Sequence, residues 1–166
     1  MTNATLTEEN TSRSIEVDGL KIHYHEAGEG EPVIMLNSGP SAGPASTAWI
    51  NYCKNLPFLS QHFRCIAMDL VNYGKTGPVI FNEPVHDVQA KTVLKLMDHL
   101  GIEKTHLVGN SVGGTTALDF ALKNPGRYRS VSAFAPIVSP LDCPWGEKAL
   151  GGYLGPDRAA WRASHS

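Results

Sequence analysis

Lys104-Thr105-His106-Leu107-Val108-Gly109-Asn110-Ser111-Val112-Gly113 is the stretch that decides how this chain reads. An apolar run leads into a serine flanked by glycines, and Val112 to Lys123 continues as a helix ending near Asn124-Pro125-Gly126. The pattern predicts a strand, a sharp turn and a helix with Ser111 at the apex, the form of a nucleophile elbow. The glycines have a steric reason. So sharp a turn holds its apex residue in strained dihedrals, and a β-carbon two residues to either side would collide with the neighbouring strand or helix. Ser111 then stands clear of the backbone at the positive end of the following helix. The Val112 N–H is placed there to help bind the oxyanion of an acyl transfer. The competing reading is an ordinary glycine turn between strand and helix, which gives the serine no task.

The flanking elements set the fold class. Ile15-Glu16-Val17 and Leu20-Lys21-Ile22-His23-Tyr24 alternate around Asp18-Gly19, a hairpin signal. Val33-Ile34-Met35-Leu36 has no alternation, as expected of a strand inside a parallel sheet. Ser46 or Thr47 is placed to cap a short helix carrying Trp49 and Tyr52. Phe63 to Met68 reads as the next strand, closed by Asp69, and the segment from there to Pro84 as mostly loop. Val85 to Leu100 is a helix, because Val93, Leu96, Met97 and Leu100 form one apolar stripe and Gly101 ends it. Tyr128 to Ala135 is the last strand, and a short helix is expected near Glu147 to Leu150. A hairpin followed by alternating strands and helices implies an α/β fold, a mostly parallel sheet with antiparallel lead strands. Ligands bind beyond the carboxyl ends of such strands. Asn37 to Gly43, Asp69 to Gly77 and Ser111 converge on that edge.

Composition narrows the function classes. At 166 residues there is room for one domain, and 42% hydrophobic content supports a core. A formal net charge of -2 gives no electrostatic case for nucleic acid or an anionic membrane. Cys53, Cys65 and Cys143 form no CxxC pair and read as reduced thiols, which makes the cytoplasm the default location. Met1 to Ser14 is polar and lacks the apolar centre of a signal peptide; it is expected to be a frayed tail. The folded domain is then expected to run from Ile15 to Ser166. No apolar run is long enough to span a membrane.

From about Ser14 to Phe120 the chain resembles the α/β-hydrolases that cleave carbon–carbon bonds in ring-fission products, the meta-cleavage product hydrolases. The residues that carry this are Ser14 to Tyr24, Trp49-Ile50-Asn51-Tyr52 and His106-Leu107-Val108-Gly109-Asn110-Ser111-Val112-Gly113-Gly114. From about Ala121 the resemblance changes. Ala121 to Ile137, Cys143 to Ala149 and Gly152-Tyr153-Leu154-Gly155 look like S-formylglutathione hydrolase. Both families share one fold and one elbow, so the chain looks like a hybrid of sister hydrolases that switches within the elbow helix.

The resemblance implies the α/β-hydrolase fold, with Ser111 as nucleophile and the Val112 N–H as one oxyanion donor. It implies a second donor from the loop after the third strand, which reads Leu36-Asn37-Ser38-Gly39-Pro40. The family's usual histidine is absent there, and Ser38 or Gly39 is the candidate donor. Asn51 and Asn110 match positions that face the substrate in the carbon–carbon hydrolases; for Asn51 a helix-surface amide is the alternative. A small-molecule acyl substrate and water are implied, with no cofactor and no metal. The family substrates are S-formylglutathione-like esters or thioesters on one side and 2-hydroxy-6-oxo-dienoates on the other.

A serine hydroxyl needs a general base within hydrogen-bond reach. In this fold the order is serine, acid, histidine. After Ser111 the chain offers His165 and the acids Asp119, Asp142, Glu147 and Asp157. Asp119 is two turns down the elbow helix and points away, and His165 sits on no strand-end loop. The resemblance therefore implies a domain cut after about its sixth strand, without the triad acid and histidine. It also implies a non-catalytic fragment as the third functional reading. The last strand is expected to leave an apolar edge that invites self-association. His23 and His25 share one face of the second strand, and without a third ligand at suitable spacing they read as a solvated strand face. His62, His86, His99 and His106 read as surface or strand-end residues.

Overall fold

The computed structural model describes residues 5–39 and 46–136. The helix expected near Glu147 to Leu150, Asp142, Asp157, Cys143 and His165 lie outside the described residues. The element order is α1 (Glu8–Thr11), β1 (Ser12–Val17), β2 (Leu20–Ala27), β3 (Pro32–Leu36), α2 (Ala48–Tyr52), α3 (Leu56–Leu59), β4 (Arg64–Met68), α4 (Val85–His99), β5 (Thr105–Asn110), α5 (Val112–Lys123) and β6 (Tyr128–Phe134). The strands form one sheet in the order β1-β2-β4-β3-β5-β6. β1, β2 and β4 pair antiparallel, and β4, β3, β5 and β6 pair parallel. The hairpin turns at Asp18 and Gly19, both with positive φ (51° and 73°), as a tight two-residue turn requires.

Strand periodicity divides the core into two layers. Ile34, Leu36, Ile66, Met68 and Leu107 face one side, where Val93, Leu96 and Met97 of α4 and Ala117 and Phe120 of α5 pack on them. Val33, Met35, Cys65 and Ala67 face the other, against Ala48 and Tyr52 of α2 and Leu56 of α3. The α4 stripe read from the sequence is thus the buried face. Gly101 (φ 65°) closes α4 in a left-handed cap. The Gly101 N–H donates to the Asp98 carbonyl at 3.2 Å and the Ile102 N–H to the Met97 carbonyl at 2.8 Å.

From Thr7 on, the segment differs from the expected tail. Thr7 caps α1 through a reciprocal box with Asn10, and β1 begins at Ser12, pairing antiparallel with β2 from His25 back to Leu20. The ordering comes from burial: the Thr11 hydroxyl meets His25 Nδ1 at 2.9 Å, and Thr11 is 1% exposed. No helix among the described residues is long and apolar enough to cross a membrane.

Candidate active site

The elbow takes the form that the glycines predict. Ser111 lies between β5 and α5 at φ 54°, ψ -116°, a conformation a non-glycine residue adopts only when its surroundings impose it. A β-carbon at Gly109 would fall 2.2 Å from the Gly113 carbonyl oxygen, and one at Gly113 would fall 2.4 Å from that of Leu36. The Ser111 N–H is tied to the Phe134 carbonyl at 2.9 Å, which binds the apex to the end of β6. Asn110 is exposed at the last position of β5, next to the serine. Val112 opens α5, so its N–H has no carbonyl one turn back and faces the same edge as the serine.

The loop after β3 is built from side-chain amides and hydroxyls. Asn37 is fully buried and makes three bonds. Its Oδ1 accepts from the Leu70 N–H at 2.8 Å, and its Nδ2 donates to the carbonyls of Ser38 (2.9 Å) and Ser46 (3.1 Å). An amide has both an acceptor and a donor end, so Asn37 ties the loop to the end of β4 in one step. Ser46 Oγ donates to the Ser38 carbonyl at 2.7 Å and lies 3.0 Å from Ser38 Oγ. The Tyr52 hydroxyl donates to the Leu36 carbonyl at 2.7 Å, and burial pushes that phenol's pKa upward.

Of the two candidate oxyanion donors, Ser38 is already engaged. Its N–H donates to Asn51 Oδ1 at 3.0 Å. Gly39 is packed on the elbow: a β-carbon there would fall 2.5 Å from Val112 Cγ2. The structure therefore brings Gly39, Val112 and Ser111 together at one sheet edge. Asn51, on α2, holds the loop by its Oδ1 and its own helix by an Nδ2 bond to the Thr47 carbonyl at 3.0 Å. Asn51 is half-buried on its helix, with both ends of the amide engaged.

No histidine or carboxylate among the described residues hydrogen-bonds Ser111. Asp119 pairs with Lys123 one turn along α5, away from the serine. The described residues thus position the hydroxyl, and the base that would activate it is not among them.

Sequence reasoning missed a buried polar cluster beside β2. His23 and His25 are each 1% exposed, so the expected solvated strand face is overturned. His23 Nδ1 lies 2.7 Å from Asp69 Oδ2, and His23 Nε2 lies 2.8 Å from Ser12 Oγ. Asp69 also accepts the N–H groups of Ala48 (2.7 Å) and Lys75 (2.9 Å). Burial alone would raise the Asp69 pKa, but the His23 bond and these N–H groups hold it below the usual carboxylate value. Burial, with His23 adjacent, pushes His25 down to about 4. The cause of the burial is long-range: α1 covers one ring, and the loop carrying Asp69 and Thr76 covers the other. The cluster's visible work is to fasten that loop, which runs beside the oxyanion loop through Leu70. The signal was present as Asp69 closing a buried strand, but its partner stands 46 residues away.

Comparison with known proteins agrees with this fold. The family model for the alpha/beta hydrolase fold matches residues 31–151. A 2-hydroxy-6-oxo-6-phenylhexa-2,4-dienoate hydrolase of Comamonas testosteroni is 44% identical over 137 residues, covering 79% of this chain and 47% of that protein. An S-formylglutathione hydrolase of Rattus norvegicus is 61% identical over 61 residues, 37% of this chain and 22% of that protein. Among solved structures, a meta-cleavage product hydrolase (CumD) of Pseudomonas fluorescens IP01 superposes with a TM-score of 0.68 at 33% identity, over 81% of this chain and 50% of that one. The chain thus spans about half the length of the curated meta-cleavage relatives it matches. A serine held on a glycine-flanked turn, a sheet with an antiparallel lead and a parallel interior, and a family match over residues 31–151 agree: this chain belongs to the alpha/beta hydrolase fold family.

Proposed function

We propose that the chain carries the nucleophile half of a hydrolase that cleaves the carbon–carbon bond of a 2-hydroxy-6-oxo-dienoate. The observation that carries this is the elbow, with Asn110 before the strained Ser111, inside a stretch 44% identical to a dienoate hydrolase over 137 residues. In this reading Ser111 attacks the ketone carbon, and the Val112 N–H helps hold the developing oxyanion. Asn110 faces the substrate from the end of β5. The base and acid of the triad come from chain that the relatives have and the described residues do not contain. The free thiols Cys53 and Cys65 fit a cytoplasmic setting.

Hydrolysis of a small ester or thioester is the second reading. The 61%-identical stretch similar to an S-formylglutathione hydrolase supports it.

The test supplies the missing half. The chain is mixed with the C-terminal half of the Comamonas testosteroni dienoate hydrolase, and assembly is verified by co-sedimentation. The dienoate absorbance is then followed alongside p-nitrophenyl acetate. Dienoate turnover that vanishes in Ser111→Ala is expected. Ester turnover without dienoate turnover would move the assignment to the second reading.

A further inference from the structure

We propose that Asn51 is a positioning residue of the oxyanion loop: it takes up the Ser38 N–H and leaves Gly39 to present the loop's donor beside Val112. The role rests on the serine-hydrolase reading above; the geometry does not. Every polar group of Ser38 has a partner. Its N–H goes to Asn51 Oδ1 (3.0 Å), its carbonyl accepts from Asn37 Nδ2 (2.9 Å) and Ser46 Oγ (2.7 Å), and its hydroxyl meets Ser46 Oγ (3.0 Å). Ser38 is thus scaffold, and turning its N–H towards a substrate would break a part-buried bond. Gly39 comes next in the chain and packs on Val112 so closely that a β-carbon would fall 2.5 Å from Val112 Cγ2 and the valine side chain would have to move. A fixed Ser38 therefore fixes where the next peptide group stands against the elbow.

The Asn51 amide has one orientation. Its Nδ2 donates to the Thr47 carbonyl at 3.0 Å, so Oδ1 must face Ser38; flipped, Nδ2 would meet the Ser38 N–H, donor against donor. Its helix is in turn fixed. Thr47 caps α2 by accepting the Ile50 N–H at 3.2 Å, the Ala48 N–H donates to Asp69, and the Tyr52 hydroxyl holds the end of β3. This is the supporting shell that a preorganised donor needs, since such a donor acts only if held in place before charge develops.

The test measures amide hydrogen exchange at Ser38 by NMR in the full chain, in wild type, Asn51→Ala, Asn51→Leu and Asn51→Asp. The Leu70 amide, bonded to Asn37, serves as the fold control. Two variants lack the acceptor, so one that fails to fold leaves the other to decide. Exchange at Ser38 is expected to rise at least about tenfold in Ala and Leu at unchanged Leu70 protection, one lost hydrogen bond's worth. Asp keeps the acceptor and is expected to keep the protection. Unchanged Ser38 exchange in the folded Ala or Leu variant overturns the proposal.

A second readout uses the assembled enzyme. Asn51→Ala is expected to lower kcat at least about tenfold with KM within about twofold, since a displaced donor weakens transition-state binding alone. A loss carried by KM would make Asn51 a substrate ligand and overturn the proposal. If the wild-type assembly turns over neither substrate, the functional reading above fails, and the exchange result still decides whether Asn51 holds Ser38.

Discussion

Ser111 shows how one residue can be set against the stability of its own fold. Its backbone at φ 54°, ψ -116° suits glycine. Ser111→Gly is therefore expected to raise stability by about 1–2 kcal/mol, while removing the nucleophile. Chemical denaturation of the two proteins checks this; a less stable glycine variant would mean the apex is unstrained. Gly113→Ala has the opposite expectation. Its β-carbon meets the Leu36 and Asn37 carbonyls at 2.4 and 2.6 Å, backbone that cannot swing aside. A loss of about 3 kcal/mol or more is expected. The buried histidines add a pH dependence. An unfolded histidine protonates near 6.5, whereas burial beside His23 pushes His25 down to about 4, with Asp69, Glu8 and Lys75 also acting on it. Between those values the unfolded chain binds the extra proton, so stability falls as pH drops from about 6.5 towards 4. Denaturation midpoints across that range should show the fall, and His25→Asn should flatten it. A wild-type midpoint constant from pH 7 to 4 would contradict the assigned burial. At this scale the elbow was legible because its steric rule is local. The histidines were not, because their burial depends on groups outside their strand: Thr11 of α1 at His25, and Asp69 and Thr76 at His23.

Elements with a strong repeating pattern were read correctly. α5 runs from Val112 to Lys123 as expected, and α4 ends one residue before the expected Leu100. Both present an apolar stripe and a terminating signal. The short helices were harder. α1 has four residues, and its cap is Thr7 with Asn10, a capping box with asparagine where Glu or Gln is usual. The signal existed in Thr7-Glu8-Glu9-Asn10 but no apolar periodicity follows it. α3, also four residues, starts with a proline in its first turn and offers little more. α2 matters most for function, since it carries Asn51. Thr47→Ala removes its cap and is expected to cost about 1 kcal/mol, with Ser38 exchange rising as α2 frays. A melting temperature equal to wild type would show that tertiary contacts alone hold α2.

The whole sheet places the chemistry. β3, β4 and β5 run parallel, so Asn37, Asp69 and Ser111 leave at the same edge, as expected of a parallel α/β sheet. The antiparallel lead and the parallel interior followed from the hairpin and the alternation of strands and helices; the order β1-β2-β4-β3-β5-β6 was not read from the sequence. Nor was the interlock of Asn37, Ser38, Ser46 and Asn51, because it depends on side-chain contacts between α2 and a loop. Among the described residues β6 is an edge strand, with Phe134 61% exposed, and Leu122 on α5 is 82% exposed. We propose that this surface drives self-association. Sedimentation should show mass rising with concentration, and Phe134→Lys with Leu122→Lys should suppress it. A single monomeric species at all concentrations would contradict this. The central claim, that Ser111 is the nucleophile of an alpha/beta hydrolase, is tested most directly by active-site labelling. The chain, assembled with the C-terminal half of its Comamonas testosteroni relative, is treated with a fluorophosphonate and mapped by mass spectrometry. One adduct on Ser111, absent in Ser111→Ala, is the predicted result; an intact assembly with no adduct, or with the adduct on another residue, would contradict it.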